Sequence, residues 1–332
     1  LRLVSTKGAF LPPFQAGQYI NLFVEAAGVR TSRPYSISSS PTETGHYDIT
    51  VRRVEDGFVS DLLLEETDVG DSFTSSGPAG CFVYNPLFHG KDLVFLAGGS
   101  GITPFMSMIR EIVGRGLDRR ITLIYGSRDP SDIVFGAELD RIAANHPTIR
   151  VRHVISNPPV GYQGLTGFIT ADLVKNLVGD VAGKTFYVCG PEAMYGFCLA
   201  ELGKLGVPRR RIRTEVYGPP RDVASKPGWP EDISRDDVFT VRIKGGASFR
   251  AKAGEPLMVS LERAGVAIPA LCRSGECSLC RTRLVSGRVF QPENVRLRKS
   301  DRAFGYIHPC VAYPLTDLEI LAALLLELAR LS

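Results

Sequence analysis

The chain has 332 residues, of which 44% are hydrophobic and 22% charged, a globular composition with room for two or three domains. Its formal net charge of +4 is small, and its 39 basic and 35 acidic residues are spread along the chain. Because the sequence has no continuous run of Lys and Arg, the charge pattern argues against a nucleic-acid-binding protein.

The two ends of the sequence carry little targeting information. Residues 1–7 lack the architecture of a signal peptide, and the missing initiating methionine suggests that the natural N-terminus lies upstream. The apolar run from Ile320 to Leu331 is too short to span a bilayer, and we expect residues 322–332 to form a helical tail. The seven cysteines are odd in number, and four of them are clustered, which does not suit a disulfide framework. The other three are scattered and fit a reducing compartment, so we expect a cytoplasmic protein, and a membrane partner is not expected.

The patterns along the chain predict three folded regions. Short β-branched runs separated by Gly, Pro and Ser, as in Tyr19–Val24 and Tyr47–Val51, are typical of an antiparallel barrel or sandwich, assigned to residues 1–88. Over residues 89–217, apolar strands alternate with helical stretches, which predicts a doubly wound α/β domain with a parallel sheet. A Pro- and Gly-rich linker is expected at 218–236, before a compact domain at 237–321.

Two motifs in the α/β region follow apolar strands and precede helical stretches. The first, Gly98 to Pro104, is rich in glycine, which lets the backbone approach a pyrophosphate at the start of a helix. The second runs from Cys189 to Met194, about 90 residues later. Ligands of such sheets bind beyond the carboxyl ends of the strands, so we expect a nucleotide there.

Four cysteines in the last domain carry the strongest signal in the sequence. Cys272, Cys277 and Cys280 are separated by four and two residues, and Cys310 follows after 29 more. This is the plant-type spacing for a [2Fe–2S] cluster. A zinc site is the alternative, but zinc ligands usually come as two short pairs. Gly275 supplies the left-handed freedom that the wrapping loop needs, and the small Ser278 lets N–H groups approach the sulfurs.

On these motifs, residues 249–320 resemble a plant-type ferredoxin domain, and residues 14–217 resemble a ferredoxin–NADP reductase-type flavoprotein module. The order flavin, nucleotide, ferredoxin is similar to single-chain reductases of oxygenases, of the phthalate dioxygenase reductase and phenylacetyl-CoA epoxidase reductase types. The resemblance implies a multi-domain protein with a flavin-binding β-barrel, an NAD(P)-binding α/β domain and an α+β β-grasp ferredoxin domain. The implied cofactors are FAD, which is favoured over FMN, and a [2Fe–2S] cluster.

The resemblance also implies the flavin-binding residues. Arginine can hold a phosphate, tyrosine can lie against the isoalloxazine ring and serine can hydrogen-bond near N5. A second phosphate-binding turn is expected before the helix-like segment that starts at Asp61. The flavin candidates are Arg33, Pro34, Tyr35, Ser36, Val51, Arg52, Gly57, Val59 and Ser60.

The expected nucleotide-binding residues come from both motifs and from the end of the second parallel strand. They are Gly98, Gly99, Gly101, Ile102, Thr103, Pro104, Ser127, Arg128, Cys189, Gly190, Pro191 and Met194. The resemblance places Cys189 near the nicotinamide, although a buried structural thiol is the alternative. Arg128 could bind the 2′-phosphate of NADPH, while Asp129 could favour NADH; the choice stays open with a slight preference for NADPH.

The catalytic candidates implied by the resemblance are Ser36, Cys189, Glu215 and Tyr217. Ser36, Cys189 and Glu215 would shape the hydride path, and Tyr217 would gate the stacking of the nicotinamide. A flavin would convert the two electrons of a hydride into single electrons for the cluster. The expected function is an NAD(P)H-dependent reductase that supplies a partner oxygenase or another metalloenzyme. Alternatives are a reductase of a free ferredoxin, a corrinoid protein or another anaerobic redox protein, or a metal-stabilised interaction module.

The segment between Cys272 and Cys310 is rich in basic residues, and we call this set the basic rim. Such a rim would steer an acidic docking face of a redox partner, although a merely solvated surface is the alternative. Three acidic residues, Glu276, Glu293 and Asp301, lie in the same segment. The basic residues are Arg273, Arg281, Arg283, Arg288, Arg296, Arg298, Lys299 and Arg302.

Overall fold

The computed structural model describes residues 1–8, 10–54, 57–220, 222–293 and 295–321. The helical tail expected at 322–332 therefore lies outside the described residues. Within the described ranges, no helix is both long enough and apolar enough to cross a membrane.

Strands dominate the two outer parts of the chain, and the longer helices lie in its middle. The strands are β1 (Arg2–Leu3), β2 (Tyr19–Ala26), β3 (Val29–Ser36), β4 (Tyr47–Asp48), β5 (Thr74–Ser75), β6 (Asp92–Gly98), β7 (Arg120–Ser127), β8 (Ile149–Ile155), β9 (Leu165–Thr166), β10 (Thr185–Cys189), β11 (Ile212–Glu215), β12 (Val238–Ile243), β13 (Ser248–Lys252), β14 (Thr282–Ser286), β15 (Val289–Phe290), β16 (Tyr306–Ile307), β17 (Tyr313–Pro314) and β18 (Leu318–Leu321). The helices are α1 (Thr103–Gly114), α2 (Gly136–Asn145), α3 (Ala171–Val178), α4 (Glu192–Lys204), α5 (Leu257–Arg263) and α6 (Lys299–Ala303).

The chain divides into two compact units, and each is built from three segments. The first unit comprises Leu1–Ile20, Tyr35–Glu55 and Gly77–Val216. The second comprises Asn21–Pro34, Asp56–Ser76 and Tyr217–Ser332. The N-terminal region predicted as a barrel therefore contributes residues to both units.

The first unit is organised around a parallel sheet. Among the described strands, the order is β11-β10-β6-β7-β8-β9, and every neighbouring pair is parallel. Six of the seven residues of β6 are buried, as expected for a strand covered by helices on both faces. The chain runs from β6 outward through β7 to β9, then returns to β10 on the other side of β6. This reversal makes a crevice at the carboxyl ends of β6 and β10.

The second unit contains a mixed sheet with the order β13-β12-β18-β14-β16 in its described part. Helix α5 covers it, and Leu257, Met258 and Leu261 from this helix are buried with Val241 and Ile320 from the sheet. A three-stranded sheet has the order β3-β2-β5, and its antiparallel pair β2 and β5 places Leu22 opposite Ser75 and Phe23 opposite Thr74.

The segment 218–236, predicted as a linker, carries its own packing. Val223 is buried with Phe290 and Tyr313, and Trp229 lies against the same cluster. The Trp229 Nε1 group donates a hydrogen bond to the Ile233 carbonyl at 3.0 Å. The apolar side chains of this Pro-rich segment therefore attach it to the region that follows, although they show no helical or strand period.

Candidate functional site

The glycine-rich turn after β6 interlocks with the motif after β10. A Cβ atom on Gly98 would lie 2.5 Å from the Met194 sulfur and 2.8 Å from Pro191 Cδ. A Cβ atom on Gly101 would lie 2.3 Å from the Cys189 carbonyl oxygen. Gly101 has to be glycine because a Cβ atom would strike the backbone of the second motif, whereas at Gly98 it would strike the Met194 and Pro191 side chains. A short 3₁₀ turn, Gly99–Ile102, then leads into α1.

A cavity of about 480 Å³ opens beside this interlocked turn. It lies beyond the carboxyl ends of β6, β7, β8 and β10, where a doubly wound sheet binds its ligand. Seven predicted residues line it: Arg52, Gly98, Gly99, Ser127, Arg128, Pro191 and Met194. Of these, only Arg52 was assigned to the flavin rather than to the nucleotide.

The remaining nucleotide candidates are buried and do not line the cavity. Ile102 and Cys189 are fully buried, and Thr103 is 4% exposed. The Thr103 hydroxyl donates to the Ser100 carbonyl at 2.8 Å, which closes the turn before α1. These residues hold the shape of the turn in the structure, while a direct contact of Cys189 with the nicotinamide stays a prediction.

Several residues of the cavity were missed by sequence reasoning. Phe168 and Phe197 approach edge to face with ring centroids 6.0 Å apart, and both are exposed. They come from segments separated by almost thirty residues, and nothing in their local pattern distinguishes them from core aromatics. The other unpredicted lining residues are Gly126, Asp132, Val154, Ser156, Gly167, Ile169, Ala193 and Cys198.

Charged side chains surround the end of β7. Arg128 Nε lies 3.6 Å from a carboxylate oxygen of Asp129 and 3.4 Å from one of Asp132. Arg52 Nη2 lies 3.8 Å from the other Asp132 oxygen. Hydrogen bonds from Ser131 lower the pKa of Asp129, so this carboxylate remains ionised. The two arginines at this edge are thus matched by two carboxylates.

Two of the catalytic candidates lie opposite one another at the crevice. Cys189 and Glu215 are register partners at the carboxyl ends of β10 and β11, and both side chains are buried. The hydroxyl of Tyr195, a residue that sequence analysis missed, donates to the Glu215 carbonyl, and Gly190 N donates to the same hydroxyl at 3.3 Å. Burial strongly raises the pKa of Tyr195, which keeps this phenol neutral.

The flavin candidates are divided between the two units. Tyr35, Ser36, Val51 and Arg52 belong to the first, where Ser36 is 5% exposed. Arg33, Pro34, Gly57, Val59 and Ser60 belong to the second, as does the catalytic candidate Tyr217. The flavin candidates therefore form two groups, one in each unit.

The expected second phosphate-binding turn is followed by a short helical segment. Residues Leu62–Glu66 form a single π-helical turn, and Asp61 N donates to the Gly57 carbonyl at 2.9 Å. Val59 and Ser60 are buried. A single turn has little macrodipole, so its backbone N–H groups would be its main means of attracting an anion.

In the second unit, the four cysteines come together around a tightly wound loop. Cys272 Sγ accepts backbone hydrogen bonds from Ser274 at 3.4 Å, Glu276 at 3.4 Å and Cys277 at 3.3 Å. Cys280 and Cys310 have their sulfurs 3.5 Å apart. Cys277 is exposed, while the other three cysteines are buried.

The backbone of this loop has the conformation that sequence analysis predicted at Gly275, with φ of +78°. A Cβ atom there would also lie 2.8 Å from Val311 Cγ2. Ser278 adopts φ of +59°, which was not predicted for a residue with a side chain. His308, beside Cys310, is fully buried, and its Nδ1 donates to the Gly275 carbonyl at 3.1 Å, which supports the loop from behind.

The sulfur environment fits a cluster of two irons. Backbone N–H groups directed at Cys272 stabilise a thiolate. A hydrogen bond from the Cys277 thiol, and a weaker contribution from the Cys310 thiol, also lower the pKa of Cys272. A [2Fe–2S] cluster distributes its four ligands over two irons.

Comparison with known families supports the same three regions. An oxidoreductase FAD-binding domain matches residues 10–84, and an oxidoreductase NAD-binding domain matches residues 95–199. A 2Fe-2S iron-sulfur cluster binding domain matches residues 241–315.

Relatives match nearly the whole chain. NADH oxidoreductase HCR of Escherichia coli K12 is 30% identical over 306 residues, covering 92% of this chain and 88% of its own length. The glycine betaine monooxygenase reductase subunit of Pseudomonas aeruginosa UCBPP-PA14 is 28% identical over 319 residues, covering 92% and 87%. The solved structure of phthalate dioxygenase reductase aligns with a TM-score of 0.70 at 27% identity, covering 97% of this chain and 92% of that one.

The chain therefore belongs to the family of FAD-containing NAD(P)H oxidoreductases that carry a C-terminal [2Fe–2S] domain. The predicted fold class, enzyme class and cofactors are confirmed. The individual site residues and the domain boundaries stay predictions.

The interlocked turn can be tested with two glycine substitutions. Gly101→Ala places a methyl group against the Cys189 carbonyl, so we expect a loss of about 2 kcal/mol in stability. It should also slow reduction of the flavin by NAD(P)H. Gly196→Ala, in α4 with open space around it, should instead stabilise the protein by up to about 1 kcal/mol. Thermal unfolding of both variants measures the difference, and equal midpoints would contradict the proposed contact.

Proposed function

We propose that this protein is the reductase component of an oxygenase system, taking a hydride from a nicotinamide nucleotide and passing single electrons to a partner oxygenase. The proposal rests on the cysteine loop, in which three of the four cysteines are buried and three backbone N–H groups donate to the Cys272 sulfur. A loop of this kind makes an electron outlet in a chain that also holds a nucleotide-sized cavity.

The nucleotide would lie in the cavity beside the interlocked turn. Gly98, Gly99 and the start of α1 would hold its pyrophosphate, because glycine permits close approach and the helix presents unpaired N–H groups. Cys189 and Glu215 would border the hydride path, since they are register partners at the crevice. A bound flavin supplies the conversion from hydride to single electrons.

The flavin would be held by the Arg33–Ser36 motif. Arg33 would bind a phosphate, Tyr35 would lie against the ring, and the buried Ser36 hydroxyl would hydrogen-bond to it. Tyr217 would stack near the ring and leave when the nicotinamide enters. Cys272, Cys277, Cys280 and Cys310 would hold the cluster, with Cys277 on its exposed side.

The basic rim would guide the partner. The structure corrects its membership, because Arg273 is buried in an ion pair with Glu262. Two other members, Arg281 and Arg296, are exposed but lie near Asp301 and Glu276. The exposed members are Arg281, Arg283, Arg288, Arg296, Arg298, Lys299 and Arg302, which would face an acidic surface on the partner. We also propose a cytoplasmic location, which is supported by three cysteines outside the cluster motif that form no disulfide, Cys81, Cys189 and Cys198.

Replacement of one cluster ligand tests the core of the proposal. In Cys310→Ser, we expect the cluster absorbance to disappear and iron to fall from about two atoms per chain toward zero. NAD(P)H should still reduce the flavin, because the nucleotide cavity and the cysteine loop lie in separate units. Cys81→Ser, at an exposed cysteine outside the motif, is the control and should keep full iron content. Full iron content in Cys310→Ser would overturn the ligand assignment.

The charged edge at the end of β7 leads us to propose NADH as the donor, although the sequence alone slightly favoured NADPH. Asp129 and Asp132 lie beside Arg128 and would repel a 2′-phosphate. Asp132→Asn should raise kcat/KM for NADPH relative to NADH by about tenfold, equal to ~1.4 kcal/mol.

Asp140→Asn is the control, because Asp140 is 70% exposed and does not line the cavity. Steady-state kinetics with a small acceptor measure both ratios. If the ratio of kcat/KM for NADPH to kcat/KM for NADH is unchanged in Asp132→Asn, repulsion of the 2′-phosphate by Asp132 is wrong.

The basic rim predicts a salt dependence. Raising ionic strength from about 0.02 to 0.2 M shortens the screening length, so reduction of the partner should slow by at least about tenfold. Reduction of a small neutral acceptor should change little. Both rates can be measured on the same preparation, and equal sensitivity would exclude electrostatic guidance of the partner.

A further inference from the structure

Arg273 directly follows the first cluster ligand, but its side chain turns inward. The side chain is 8% exposed and forms an ion pair with Glu262 of α5, which is itself 12% exposed. Its backbone adopts φ of +53°, a left-handed conformation that is unfavourable for a residue with a side chain. A buried charge and a strained backbone at one residue require compensating interactions nearby.

The compensation comes from strand β3. The Thr31 hydroxyl donates to the second oxygen of Glu262 at 3.0 Å and accepts from Arg273 Nη2 at 3.1 Å. It also accepts from Arg33 Nη1 at 2.8 Å. A hydroxyl has one proton and two lone pairs, so these three hydrogen bonds use its full capacity. One side chain thus joins the arginine of the flavin motif to the arginine of the cysteine loop.

A second connection runs in parallel. Asn21 on β2 donates through Nδ2 to the Ala270 carbonyl at 2.9 Å, two residues before Cys272. The same nitrogen donates to the Ser32 hydroxyl at 2.9 Å, and Asn21 is fully buried. All of these residues belong to the second unit. The approach to the cysteine loop is therefore tied to β2 and β3 at both Ala270 and Arg273.

We propose that Thr31, Glu262 and Arg273 are positioning residues that fix the cluster-binding loop relative to the flavin-binding strand. The inference rests on the proposed roles of Arg33 and the four cysteines. The step affected would be the one-electron transfer from the reduced flavin to the oxidised cluster. The cluster would take one electron, pass it to the partner protein and, once reoxidised, take the second electron of the hydride. The network contacts the flavin motif through Arg33, whose Nη1 also donates to the Ser32 carbonyl at 2.8 Å. This second hydrogen bond does not depend on the Thr31 hydroxyl, so we expect hydride transfer to be little affected.

The test uses Thr31→Val and Glu262→Gln in the holoprotein. After anaerobic mixing with NADH, flavin and cluster absorbance report the two steps separately. Flavin reduction should stay within about twofold of the unmodified protein, while cluster reduction should slow by about tenfold because small displacements of reacting groups are costly. Backbone hydrogen exchange at 273–277 in the oxidised protein should also become faster. Thr31→Ser keeps the hydroxyl, so its rates of cluster reduction and of hydrogen exchange should equal those of the unmodified protein.

Arg263→Gln is the matched control, because Arg263 lies on the same helix and its ion pair with Glu255 is at the surface. It should leave cluster reduction and hydrogen exchange unchanged. If Thr31→Val and Glu262→Gln behave like this control, the positioning role is wrong. Thr31→Val decides the outcome if Glu262→Gln does not retain its cluster, since Thr31 lies outside the ferredoxin region. An unmodified protein whose cluster is never reduced would instead overturn the proposed function.

Discussion

The cysteine loop has to stabilise negative charge on sulfur although it is only partly exposed to solvent. Three backbone N–H groups converge on Cys272, and they can do so only because the chain turns tightly between Cys272 and Cys280. Left-handed conformations at Arg273, Gly275 and Ser278 produce that turn. Only one of these residues is glycine, so the surrounding packing has to hold the other two in place.

Close approach of two segments also shapes the nucleotide cavity. Gly98 and Gly101 bring the turn after β6 into contact with the motif after β10, although about ninety residues separate the two in the sequence. Parallel strands bring their carboxyl ends to one edge, and there Cys189 and Glu215 become register partners. The sheet thus provides a fixed frame, and chemistry can be placed on the loops at its edge.

Much of this arrangement could be predicted from local sequence. Strand and helix alternation in the middle of the chain predicted the parallel sheet, and the cysteine spacing with Gly275 predicted the turn of the cluster loop. These features are encoded over short distances. Phe168, Phe197 and Tyr195 were missed because their importance arises from tertiary proximity.

Arg273 shows why composition alone misleads. As one of eight basic residues in its segment, it was assigned to the surface, yet Glu262 and Thr31 bury it. Its partners lie 11 and 242 positions away, so no local pattern could distinguish it from Arg281 or Arg296.

We propose that electrons enter at the nucleotide cavity and leave at the cysteine loop. Anaerobic rapid mixing of the intact holoprotein with NADH, with absorbance followed at wavelengths for the flavin and for the cluster, tests this order of events. We expect the flavin absorbance to fall first and the cluster absorbance to fall afterwards, in every molecule that contains both cofactors. Loss of flavin absorbance with a cluster that stays oxidised would contradict it.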